Sequence, residues 1–190
     1  MKSLANFFFE VGMLKRTPRS GFQFLGSGSE SVAEHSYRAT IIGFTLARLD
    51  EHADVGRVLQ LCLFHDIPEA RTGDLNYVNK KYVQVDEQAA VDDLAATLPF
   101  GDDYRALLAE FGAQQSREAQ LAHDADQLEM ILALKEYKDL GNRYADEWYP
   151  FSVRRLKTDT AKRLAESIWS TDSSRWWFDD DEDWWVKGRR

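Results

Sequence analysis

Apolar residues recur along this chain at helical rather than strand spacing. In residues 3–14, Leu4, Phe7, Phe8, Val11 and Leu14 fall three and four apart, which marks one apolar helix face. Val32 to Leu49 carries a long pattern of the same period, with Ser29 or Ser31 placed to cap its start. Val55 to His65 is a second run, apolar on nearly every side at its end, which predicts a buried helix. Pro68 disfavours helical geometry at Ile67, so this helix ends or kinks there. Further helical patterns cover about 84–98, 102–111, 117–140, 145–156 and 158–170. The segments TPRSGFQFLGSGSES and RTGDLNYVNKKY read as loops, the first with one short extended piece. No strand-length alternation recurs and no internal repeat is visible, so the expected fold class is all-α.

Composition narrows the class without naming a function. The 190 residues fit one domain over 1–170 and a small appendage over 171–190. An apolar fraction of 44% with 13% aromatics suffices for a real core. A formal charge of -8 repels a phosphate backbone, so nucleic acid is not an expected partner. The single cysteine, Cys62, sits in an apolar run and cannot form an intrachain disulfide, which suits a reducing cytoplasm. The N-terminal apolar patch is interrupted by Glu10, and no stretch approaches the ~18 apolar residues of a membrane span. The appendage, TDSSRWWFDDDEDWWVKGRR, sets four Trp around an acidic run. It reads as a strap whose Trp side chains pack on the domain or on a partner subunit, the alternative being a lid over the site.

The chemistry concentrates around the histidines. Of His35, His52, His65 and His123, three stand beside an acid, as Glu34–His35, His65–Asp66 and His123–Asp124. Imidazole and carboxylate are the donors that a divalent metal takes in a hydrolytic site. His65 and Asp66 close the apolar run LCLF, where two adjacent polar groups are costly to desolvate unless paired or metal-bound. Glu69 and Asp74 follow within the same ten residues. The GSGS stretch of residues 26–29 lacks the Gly-Lys-Ser/Thr ending of a P-loop and reads as linker.

Four segments, LKRTPRSGF, ESVAEHSYRA, LFHDIPEARTGDL and DADQLEMILALKEY, together resemble the HD-domain phosphohydrolases, within them the compact 5′-deoxynucleotidase-like branch. They span roughly residues 3 to 140 in family order. The resemblance implies an HD-type helical bundle holding one divalent metal ion (Mn, Co, Fe, Ni, Zn or Mg) by His35, His65, Asp66 and an Asp of DADQLEM. Helical spacing alone puts Asp124 on a face with Leu121, Leu128, Ile131 and Leu132, whereas the family motif points to Asp126. The two lie about 200° apart on a helix and cannot face one ion. Asp126 is the preferred ligand and Asp124 the alternative.

By the same resemblance, Glu69 and Asp66 take catalytic roles, Glu69 orienting or deprotonating the attacking water. Arg19 or Arg16, with Arg19 preferred, would hold the phosphate. Asp74 and Phe22 would complete substrate binding, Phe22 standing where many relatives carry Trp. The implied reaction converts (deoxy)nucleoside 5′-monophosphates to nucleoside and phosphate by attack of a metal-bound water. Alternatives are another HD chemistry, on diesters or polyphosphorylated nucleotides, or a non-catalytic nucleotide-binding module. A homodimer is expected.

Overall fold

The computed structural model describes residues 1–178 and 184–188. Ten α-helices are present among them: α1 (Lys2–Val11), α2 (Val32–Arg48), α3 (Val55–Phe64), α4 (Glu69–Thr72), α5 (Glu87–Ala95), α6 (Gly101–Ala113), α7 (Arg117–Asp139), α8 (Ala145–Val153), α9 (Asp159–Ser170) and α10 (Trp184–Lys187). The described residues form no strand, and the one extended contact is an isolated antiparallel bridge between Pro18 and Ser31. The all-α expectation is met.

Among the described residues, side-chain caps set the starts of five helices. Ser31 rather than Ser29 caps α2: its hydroxyl accepts from the Glu34 amide at 3.2 Å, while the Glu34 carboxylate accepts the Ser31 amide at 2.7 Å. This reciprocal pair satisfies two amides that the first helical turn leaves unpaired. Asp54, Asp86, Ser116 and Thr158 cap α3, α5, α7 and α9 in the same manner with one bond each. The cap at Asp86 also explains why α5 is shorter than its pattern over 84–98: Val83 and Val85 precede the cap and remain exposed.

Helix α7 is the axis of the bundle, packed against α2, α3, α6, α8 and α9. Leu121, Leu128 and Ile131 of α7 meet Leu46 of α2 and Val58, Leu61 and Cys62 of α3 in the main core. A second core joins Phe7 and Leu14 to Ile67, Leu94 and Tyr104, which seats α1 on α5 and α6. A third holds Phe22 and Leu25 of the long N-terminal loop on Leu134 of α7. That loop is thus folded onto the bundle by apolar burial, as well as by hydrogen bonds from Arg19 N to Glu30 O and from Val32 N to Thr17 O.

Of the appendage, residues 179–183 and 189–190 lie outside the described residues. Ser173 N donates to Asp139 Oδ2 at the end of α7. The described aromatic rings pack on one another, Trp177 and Phe178 each within 6 Å of Trp185, and Trp176 is 85% exposed.

One close approach holds α2 on α3. A Cβ on Gly43 would lie 2.5 Å from Cys62 Sγ and 3.3 Å from Val58 Cγ1, so only glycine allows the two helices this separation. Gly43→Ala is expected to destabilise the fold by about 1–3 kcal/mol through overpacking, less the gain in helix propensity of up to about 1 kcal/mol. Thermal unfolding should show a Tm lowered by a few degrees, and Cys62→Ala in the same chain should recover most of the loss. An unchanged Tm in Gly43→Ala would contradict this packing.

Candidate metal centre and active site

Three helix segments bring the candidate residues together. His35 sits in the second turn of α2, His65 and Asp66 follow the C-terminus of α3, and Asp126 lies in the middle of α7. His35 is fully buried, and its Nδ1 is 2.5 Å from Glu129 Oε2. Glu129, itself 0% exposed, takes two further bonds on its other oxygen, from Arg38 Nε at 2.9 Å and Nη2 at 2.6 Å. The Nδ1 of His65 is 2.9 Å from the Cys62 carbonyl. With Nδ1 donating in both rings, the Nε2 of each neutral imidazole carries a lone pair.

Those lone pairs face carboxylates. His35 Nε2 lies 3.2 Å from Asp126 Oδ1 and 3.4 Å from Asp66 Oδ2, and His65 Nε2 lies 3.1 Å from the same Asp66 oxygen. None of these approaches has hydrogen-bond geometry: both Nε2 atoms and Asp66 Oδ2 are buried and without hydrogen-bond partners. His35, His65 and Asp126 each offer one ligand atom, all within 4.8 Å of one another. Buried polar atoms left unpaired are costly, and a divalent cation held by the two imidazoles and Asp126, with Asp66 beside them, would relieve that cost. The donor set of neutral imidazole and carboxylate fits such an ion.

The electrostatics agree with that fit. Burial and the charge of Arg19 push His35 down, yet Asp126 and Glu129 overcome both and raise it to about 10. Burial alone would raise Asp126; His35, His65 and Arg19 drive it far below the usual carboxylate range. The negative field that holds a proton on imidazole attracts a metal cation equally. Glu69 shows the reverse effect: burial, then repulsion from Asp66 and Asp74, push it up to about 9. Its Oε2 is buried and unpartnered.

The other acid–histidine pairs have structural duties. Glu34 is exposed and spends its carboxylate on the α2 cap. Asp124 points away from the centre and accepts from the amides of Lys157 and Thr158, at 2.6 and 2.8 Å, and from the Thr158 hydroxyl, pinning the start of α9. His123 lies between Gln114 Nε2 and the Arg155 carbonyl. The alternative ligand Asp124 is therefore excluded by its position, since both its oxygens serve the α8–α9 connection.

Of the two candidate arginines, only Arg19 reaches the centre. Its Nη1 is 3.8 Å from Asp66 Oδ2 and its Nε 3.9 Å from Asp74 Oδ2, with Nε buried and unpartnered. Arg16 is exposed, ends a short 3-10 turn and does not line the cavity. Asp74 positions the Arg19 loop by accepting the Ser20 amide at 3.0 Å, helped by Asn76 Nδ2 on Ser20 Oγ. Gly73, at φ 74, makes the turn that brings Asp74 back to this loop.

One cavity of about 610 Å³, within the range of small-molecule sites, opens beside these groups. Arg19, Asp66, Glu69, Asp74 and Asp126 form the charged end, and Phe22, Met130, Trp148 and Phe151 an apolar wall. Phe22 is buried, with its ring 5.2 Å from Tyr137 and edge-on to it. No described residue of the appendage lines this cavity. Sequence reading did not single out Glu129, Arg38, Trp148 or Arg155. Glu129 had a signal, standing one helical turn beyond Asp126 within the DADQLEM segment, as Arg38 stands one turn beyond His35.

Known proteins share this arrangement of helices. The model of the HD domain family matches residues 11–169. The 5′-deoxynucleotidase HDDC2 of Bos taurus is 34% identical over 148 residues, 75% of this chain and 71% of that protein. The Xenopus laevis protein of the same name is 30% identical over 181 residues, 91% of this chain and 89% of its own. Among solved structures, a predicted metal-dependent phosphohydrolase from Magnetospirillum magnetotacticum MS-1 superimposes with a TM-score of 0.71 at 25% identity, covering 88% of this chain and 89% of that one. With the family match running from the end of α1 to the end of α9, through every residue of the centre, this chain belongs to the HD domain family.

Proposed function

We propose that this chain is a metal-dependent phosphomonoesterase that converts nucleoside 5′-monophosphates to nucleoside and inorganic phosphate. The observation that carries this reading is the convergence of two unpartnered imidazole Nε2 atoms, Asp66 Oδ2 and the Arg19 guanidinium at one end of a cavity with an aromatic wall. The similarity to proteins named 5′-deoxynucleotidases supports it.

His35, His65, Asp66 and Asp126 would hold one divalent ion, which when bound supplies Lewis acidity toward water and the phosphoryl oxygens. The mixed nitrogen and oxygen donors suit Mn, Co, Fe, Ni or Zn better than Mg. Arg19 donates to the phosphate oxygens in charge-assisted bonds, which orient the ester and neutralise charge that builds up during transfer. Glu69 handles the proton: Oε2 takes it from the attacking water and returns it to the leaving 5′-oxygen. Burial, then repulsion from Asp66 and Asp74, raises Glu69, and a cation held beside Asp66 would offset the repulsion and favour the carboxylate that accepts the proton. Glu129 holds the His35 ring and its tautomer, and Arg38 compensates the charge of Glu129.

The same reading makes the protein a cytoplasmic homodimer without a nucleic-acid partner. The exposed Phe8 and Phe9 of α1 support association with a second copy, and the charge of -8 argues against nucleic acid. Among the described residues no helix is long and apolar enough to cross a membrane.

Chelation of the divalent ion should abolish phosphate release from nucleoside monophosphates, and adding back Mn, Co or Zn should restore it; undiminished turnover in stripped protein would refute the proposal. Glu69→Gln should lower kcat by about 10²–10⁴-fold while elemental analysis still finds one ion per chain. Asp126→Asn should lose the ion itself. Glu129→Gln should weaken metal affinity by about 10–100-fold, measured by competition with a chelator, although Glu129 does not itself contact the ion.

A further inference from the structure

The outer half of the cavity carries groups that phosphate chemistry does not use. Trp148 and Phe151 of α8 face it together with Met130 of α7, and Arg155, just beyond α8, reaches in from the same side. The backbone that bears Arg155 is held on α7 at two places: its carbonyl lies 3.3 Å from His123 Nε2, and the amides of Lys157 and Thr158, two and three residues on, bond to Asp124. A long side chain rooted in so fixed a segment presents its guanidinium at a defined position.

That guanidinium has two neighbours. Nη1 donates to Gln127 Oε1 at 3.0 Å, and the planar group lies over the Tyr77 ring at 4.7 Å. Gln127 in turn donates through Nε2 to Asp126 Oδ2 at 2.8 Å. A continuous chain of contacts therefore runs from Tyr77 at the cavity mouth, through Arg155 and Gln127, to a carboxylate of the metal centre. Gln127 is buried, so both its bonds fix its amide and with it the separation of the two ends.

Resting on the phosphomonoesterase reading above, we infer that Trp148, Phe151 and Arg155 form the seat of the nucleobase and set the enzyme's preference for nucleotides over smaller phosphate esters. The base lies flat on the α8 aromatic rings, and Arg155, a donor without acceptor capacity, bonds a ring nitrogen or carbonyl oxygen at its edge. Every base has a π face and an acceptor edge, so this seat accepts purines and pyrimidines alike. Gln127 is a positioning residue: it ties the base-reading guanidinium to Asp126.

Steady-state kinetics on the metal-loaded protein test the seat, with deoxynucleoside 5′-monophosphates and 2-deoxyribose 5-phosphate as paired substrates. The ratio of kcat/KM for nucleotide over the base-free ester should fall about tenfold or more in Trp148→Ala, and likewise in Arg155→Met, chiefly through KM. Phe151→Ala, at a residue 58% exposed, gives the same readout with little risk to folding. An unchanged ratio in all three variants overturns the seat. So does wild-type protein that prefers the base-free ester, a result that leaves the phosphomonoesterase reading standing. Wild-type protein that releases phosphate from neither substrate class overturns that reading and the seat with it.

Discussion

The hydrogen bond between His35 Nδ1 and Glu129 Oε2 ties α2 to α7 at the centre of the bundle, and the geometry of the site depends on it. It joins two fully buried groups across 94 positions of sequence. A carboxylate in such a place is tolerated because Arg38 pairs with its second oxygen, and an imidazole because its donor nitrogen is engaged. The ring orientation follows, and the remaining nitrogen has one direction to face. That direction is toward Asp66, Asp126 and His65, so a structural bond inside the bundle aims this nitrogen into the proposed metal centre.

Helix α7 shows how one segment serves several purposes. Asp124, Asp126 and Glu129 stand within two turns of it and diverge around its axis. Asp124 anchors the connection into α9, Asp126 faces the cavity and Glu129 supports His35. A helix with neighbours on nearly every side has no solvent face on which to dispose of acids, so each requires a partner of its own. The same crowding explains why the cavity opens where α7 meets α8 and the long N-terminal loop, beside the C-terminal end of α3.

Much of this was legible in the sequence, for stated reasons. Helices of three turns or more announce themselves by period, and the start of α2 by a serine placed to cap it, Ser29 or Ser31. His65–Asp66 stood out because polar groups after the apolar run LCLF need a partner. Asp124 and Asp126 could not be separated by period, since α7 carries apolar residues on nearly every side; the partners that claim Asp124 lie 33 and 34 residues away. Arg16 and Arg19 likewise differ only in how the loop is folded, which the Pro18–Ser31 bridge and the Ser20–Asp74 bond decide. Glu129 with Arg38 left only a spacing of one helical turn from Asp126 and His35, and Arg155 with Gln127 left no local signal, because their meaning lies in contacts between residues far apart in sequence.

In the proposed centre His35, His65, Asp66 and Asp126 share one cation, with Glu129 behind His35 and not bound to the ion. A crystal structure of protein loaded with Mn, with anomalous scattering used to locate the metal, tests it most directly. The account predicts a single peak within about 2.0–2.3 Å of the two Nε2 atoms and oxygens of both aspartates. A peak seated instead between Glu30 and Glu129, or none near His65, would contradict it.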